Sequence, residues 1–175
     1  MGNVKFIKLW QVTSCILLIL ISSCTSGDSE KELRKQFAEN IDTLIKLEAM
    51  QRKDLRIAVI RKNYYEQVSD KNGHRKTNVG MTAERWNEYI ALFNQASIEY
   101  GLNSSYNSAR QVTFLTKEGY GFTYSEAPLT QTENTYIYNS FNECNAAKHK
   151  YGICYVLLQK NWYMYRLNGN LATPM

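Results

Sequence analysis

Two cysteines and a histidine at even spacing, Cys144, His149 and Cys154, are the first residues whose types and positions could do chemistry. Thiolates and imidazoles bind zinc, but a structural zinc site takes four ligands in characteristic pairs, such as two cysteines two residues apart. Neither a fourth ligand nor such a pair accompanies these three, so no metal and no cofactor is expected. In an oxidising compartment two such thiols most simply pair with each other. A disulfide between Cys144 and Cys154 would staple two strands across the loop 145–153, contributing about 2–3 kcal/mol in the chain-entropy account. His149 would then be an exposed loop residue. The other histidine, His74, lies among Lys71, Arg75 and Lys76 and reads as solvated. Nucleophilic catalysis finds no footing, because the thiols are expected to pair and no Gly-x-Ser-x-Gly elbow occurs. Glu84 and Glu88, at i, i+4, read as an exposed helix face. No catalytic residue is expected.

A different chemistry is carried by the start of the chain. Lys5 and Lys8 form a basic stretch without acids, an apolar run covers residues 15–21, and the first acid is Asp28. The run is too short to span a bilayer, which takes about 20 apolar residues, and the three-part layout is that of a signal peptide. Ile21-Ser22-Ser23-Cys24 resembles the bacterial lipobox: an aliphatic residue, two small ones, then the cysteine. That resemblance implies removal of residues 1–23 and acylation of Cys24, with the lipid bilayer as first partner. Several acyl chains on one residue hold stably where a single chain is marginal. Thr25, which is not Asp, favours the periplasmic side of the outer membrane over the inner membrane by the enteric sorting rule.

Composition excludes other classes. The 175 residues suit one domain, placed here at 30–175 behind a short tether, 24–29. With 2 Pro and 9 Gly among them, collagen-like and low-complexity readings fail. A mean hydropathy of -0.44 excludes a multi-span membrane protein. Loss of Lys5 and Lys8 with the signal would lower the formal net charge from +5 to +3. That excess is too mild to mark a nucleic-acid partner.

The elements that must position everything else follow from periodicity. Ser29 and Glu32 read as a capping box. Leu33, Phe37, Ile41, Leu44, Ile45 and Leu47 then predict a helix over 30–51. Residues 55–68, β-branched and aromatic, read as a strand, with a continued helix as the alternative. A polar, basic loop covers 69–80. Thr82 caps a second helix whose apolar face is Trp86, Tyr89, Ile90, Phe93, Ser97 and Tyr100, with Gly101 as its stop. Strands are expected at 110–116, 120–125, 135–141, 152–159 and 162–167, with Lys160-Asn161 as a tight turn. The order implies an α+β fold: two helices packed on one face of a mostly antiparallel sheet of about five or six strands.

At this level the chain resembles a loose group of small bacterial lipoproteins with no known activity. The likeness rests on Arg85-Trp86-Asn87-Glu88-Tyr89-Ile90-Ala91-Leu92-Phe93, on the hairpin Gly119-Tyr120-Gly121-Phe122-Thr123-Tyr124, and on Asn161-Trp162-Tyr163-Met164-Tyr165.

Thirteen tyrosines are the last signal. Strand alternation sends half of a strand's side chains to each face, and two helices cover one face only. Tyr120, Tyr124, Tyr136, Tyr138, Trp162 and Tyr163 are therefore the candidate binding face, since Tyr and Trp are enriched at interfaces. The plain alternative is that Tyr suits strands anywhere. The expected function is non-catalytic binding of an envelope protein or glycan. The alternative is a periplasmic inhibitor or immunity protein acting on a toxin or envelope hydrolase.

Overall fold

The computed structural model describes residues 25–68, 76–78, 80–106, 109–116, 119–149 and 151–168, with residues 25–28, 105, 106 and 109 described by backbone alone. Among the described residues, three helices and eight strands form an α+β domain. Helix α1 (Thr25–Lys53) leads into the hairpin β1 (Ile57–Arg61) and β2 (Tyr65–Gln67), then helix α2 (Ala83–Gln95). The strands β3 (Tyr100–Tyr106), β4 (Ala109–Leu115) and β5 (Tyr120–Ser125) follow. The chain closes with β6 (Thr135–Tyr138), helix α3 (Phe141–Ala146), β7 (Gly152–Gln159) and β8 (Trp162–Asn168). One open sheet runs β2-β1-β3-β4-β5-β8-β7-β6. Every pair is antiparallel except β6 with β7, which are parallel and joined through α3.

The class was legible and the counts were not. The single expected strand 55–68 folds back on itself, with Arg61 N–H donating to Tyr64 O across the turn. The strand β3 was unforeseen, and Gly101, expected as a helix stop, lies inside it. Helix α2 ends at Gln95 instead, because Ser97 takes a left-handed φ of 54° and turns the chain into β3. Tyr100 consequently belongs to the sheet and not to the helix face. The strand expected at 135–141 stops at Tyr138, and Ser140 caps α3 by accepting from Glu143 N–H at 3.2 Å.

Helix α1 is already formed at Thr25, so Ser29 lies within it and is not its cap. Glu30 serves another end. Its carboxylate accepts the N–H of Phe141, the first residue of α3, at 2.9 Å, satisfying one donor that a helix start leaves open. Leu33, Phe37, Leu44 and Leu47 are buried as expected, whereas Ile45 faces out and Glu48 and Gln51 are buried in its stead. At α2 the expected cap holds: Thr82 Oγ1 accepts Arg85 N–H at 3.2 Å.

All three helices feed one core. Leu33, Phe37, Leu44 and Leu47 of α1, Tyr89 and Phe93 of α2, and Phe141 of α3 meet Val112, Phe114, Phe122, Trp162 and Met164 of the sheet. Phe37 packs on Phe122 and Trp162 at ring-centroid distances of 5.6 and 5.7 Å. Behind α2 the ends of two helices are locked together. Asp54, just past α1, accepts from Arg85 Nε at 2.9 Å and from the buried Tyr89 hydroxyl at 2.8 Å, while Arg85 Nη2 reaches Met50 O at 3.3 Å.

Gly121 is required where it stands in β5. A methyl group there would lie 2.1 Å from Phe114 O and 2.8 Å from the Tyr165 ring and hydroxyl. A backbone oxygen in a paired strand cannot retreat, so Gly121→Ala should lose about 1–3 kcal/mol, the usual cost of overpacking. Urea unfolding of the variant checks this. A midpoint equal to that of the unaltered protein would refute the close approach.

Candidate binding site

Strand register decides where the six candidate aromatics point, since directly paired residues share a face. Tyr124 pairs with Trp162, Tyr136 with Cys154 and Tyr138 with Val156. Trp162, Tyr120, Tyr124 and Tyr138 pack in or against the helix-covered core. Tyr136 lies on that same side in register, at the edge strand. Of the six, Tyr163 alone lies on the opposite face, where it is buried. The six therefore do not form one exposed face, because β8 starts at Trp162 directly after the turn and sends its first side chain inward.

The face that none of the described helices covers carries a different set. Tyr100, Leu115, Tyr155, Tyr163 and Tyr165 are buried together there with Leu129 from the β5–β6 connection. Leu129 N–H donates to the Tyr163 hydroxyl at 3.2 Å. Arg61 lies 4.5 Å above the Tyr100 ring centroid, a cation–π distance. Burial pushes the Tyr165 hydroxyl well above the usual phenol range, with Tyr100 and Tyr155 adding to the effect. This layer is packed interior and does not present the rings for docking.

The structure pairs Cys144 with Cys154 in a disulfide-compatible arrangement, Cα–Cα 6.4 Å. The connection differs from the one expected, since Cys144 lies in α3 and Cys154 in β7, and a helix is clamped to a strand. His149 is also not the free loop residue expected. Its ring stacks on Tyr136 at 3.5 Å and 10°, and its Nε2 shares a hydrogen bond with the Tyr138 hydroxyl at 2.7 Å. Glu88 is held by Lys46 at 3.0 Å as well as by Arg85, so it ties helices together. Among the described residues no group of three His, Cys, Asp or Glu could hold a metal ion. Cys24 and His74, together with Lys71 and Arg75 of the basic loop, lie outside the described residues.

Among the described residues, one cavity lies toward each end of α1. The first, about 440 Å³, is lined by Ser29, Glu32, Leu33, Gln36, Ser97, Thr116 and Tyr120. It lies against the first turns of α1, where Gln36 Nε2 donates to Ala96 O at 2.7 Å. The second, about 390 Å³, is lined by Tyr65, Asn78, Met81, Thr82, Ala83, Trp86 and Asn87. It sits at the N-terminal turn of α2, which Arg85 joins to the far end of α1. Its wall is assembled by backbone pairing: Asn78 N–H donates to Tyr65 O at 2.9 Å, and Tyr65 N–H to Asn78 Oδ1 at 3.2 Å. Both volumes fall within the roughly 300–1,000 Å³ typical of ligand pockets.

Neither cavity was foreseen. Trp86 read as helix core, and it is in fact half-buried, with its ring in edge contact with Tyr65 at 4.8 Å and 72°. The signal available in the sequence was the cap at Thr82, which puts Trp86 and Asn87 in the opening turns of a helix. The wall that Tyr65 and Asn78 add depends on long-range pairing. No family model, no curated protein and no solved structure matches this chain.

Proposed function

We propose that the chain is a bacterial envelope lipoprotein that acts by binding and not by catalysis. Residues 1–23 serve as its signal, and acylated Cys24 holds it in the bilayer, on the periplasmic side of the outer membrane. The observation that carries the reading is the junction of anchor and domain. The chain is already helical at Thr25, the first described residue and the one after the lipobox cysteine, and the buried face of α1 belongs to the main core. A lipid on Cys24 would therefore be attached to the domain without a linker, holding the binding surfaces at a set distance from the membrane. The Cys144–Cys154 pair supports an oxidising compartment, where we read it as a formed disulfide. A non-catalytic role is supported by the engagement of His149 with Tyr136 and Tyr138 and of each of these thiols with the other.

The intact mass of the protein extracted from its membrane tests this directly. The expected chain has lost residues 1–23, carries acyl mass on Cys24, and gains two hydrogens on reduction. A chain that keeps residues 1–23 without lipid would overturn the anchoring. No gain on reduction would overturn the disulfide alone.

A further inference from the structure

We infer that the cavity at the start of α2 is a binding site for one neutral sugar ring bearing an N-acetyl group, part of an envelope glycan. The lining chemistry selects the ligand class. Among the described residues no charged side chain lines the cavity; its described walls are two aromatic rings, two primary amides, a hydroxyl, a thioether and a methyl group. A charged ligand would be desolvated here without a counter-charge, which is costly. A wholly apolar ligand would strip water from the amides of Asn78 and Asn87 without replacing its hydrogen bonds. The described walls suit an occupant that is neutral, apolar on one face and rich in hydrogen-bonding groups at its rim.

A pyranose ring meets that description, with axial C–H bonds on one face and hydroxyls around its edge. The ring arrangement separates it from a nucleobase. Tyr65 and Trp86 touch each other at 72°, so they form no parallel slot into which a flat base could slide. We assign Trp86, the half-buried ring of the two, as the platform for the thicker sugar chair. An acetamido group matches primary amides, which both donate and accept. The volume of about 390 Å³ is near the lower limit for ligand pockets, enough for one ring and not for a polymer in full.

Position agrees with this chemistry. The 29 residues of α1 rise about 43 Å at 1.5 Å each. Arg85 fastens the first turn of α2 to Met50 and Asp54, at the end of α1 opposite Cys24. With Cys24 in the bilayer the cavity lies at the far end of the domain. That placement rests on the anchoring proposed above, whereas the sugar chemistry does not.

The test is a calorimetric titration of the full chain, in a sugar-free detergent, with the β-1,4-linked tetramer of N-acetylglucosamine. Saturable binding is expected. Asn87→Ala, at an exposed position, should weaken it at least about tenfold while leaving the thermal midpoint unchanged. Trp86→Ala should abolish it, and any loss of stability in that variant is measured separately. No heat up to the solubility limit of the tetramer would overturn the inference. So would undiminished binding by Asn87→Ala, or tighter binding of adenosine than of the tetramer. Each outcome is independent of whether Cys24 carries lipid.

Discussion

Trp162→Ala should unfold the protein at a markedly lower temperature, whatever it does to binding. Trp162 is 4% exposed, and its ring lies 5.7 Å from Phe37, 6.3 Å from Phe114 in a stacked arrangement and 5.4 Å from Tyr124. Three elements, α1, β4 and β5, lean on this one indole. Truncating a buried aromatic to alanine removes its transfer energy and leaves a cavity that neighbours only partly fill, costing about 3–5 kcal/mol. For a chain of this size each kcal/mol shifts the thermal midpoint by about 2–4 °C, so a fall of roughly 6–20 °C is expected. A midpoint within two degrees or so would place Trp162 at the surface and return it to the candidate binding residues. Because this substitution damages the fold, loss of a partner in Trp162→Ala is no evidence of a contact.

Stability should also fall steeply in alkali. Tyr89 is fully buried, and its hydroxyl is pushed far above the ordinary phenol range, first by burial and then by its hydrogen bond to Asp54. Tyr165, 3% exposed on the other face, is shifted the same way by burial and by its tyrosine neighbours. In the unfolded chain both lose their protons near pH 10 or so. In the folded chain both keep them well beyond that. These groups leave stability unchanged below their unfolded pKa. Above it the unfolded state binds fewer protons than the native one, and stability declines as pH rises. Each tyrosine contributes a slope of about 1.4 kcal/mol per pH unit, about 2.7 for the two. Urea unfolding at a series of alkaline pH values should show this slope, and Tyr165→Phe should reduce it by about half. An unchanged slope in that variant would show that Tyr165 ionises in the native state. Tyr89→Phe should reduce the slope as well and, by losing the Asp54 bond, cost about 1 kcal/mol at neutral pH.

The two expectations that fared worst share one cause. Sorting Tyr136 and Trp162 to an uncovered face and leaving His149 in solvent were both inferences about what lies across from a residue. Alternation in Trp162-Tyr163-Met164-Tyr165 says that neighbours diverge, without saying which side the helices take. In the same way, nothing local to residues 145–153 shows that a helix, α3, would precede β7 in the chain and let β7 run parallel to β6. That arrangement carries His149 back onto Tyr136 and Tyr138.

From the sequence alone came the α+β class, helices over most of α1 and α2, the Thr82 cap, the strands from 110 onward and the tight turn before Trp162. These follow from short-range causes: 3.6-residue and two-residue periodicity, a side chain capping the amide three residues on, and Asn161 accepting a φ of 69°. The tertiary structure decided the rest. It placed β3, whose Asn103-Ser104-Ser105 lacks an apolar pattern and which is held by pairing with β4 on one side and β1 on the other. It chose the face that the helices cover and brought Tyr65 and Asn78 against Trp86. Those outcomes depend on hydrogen-bond register between segments far apart in the chain, and periodicity within one segment carries no information about register with another.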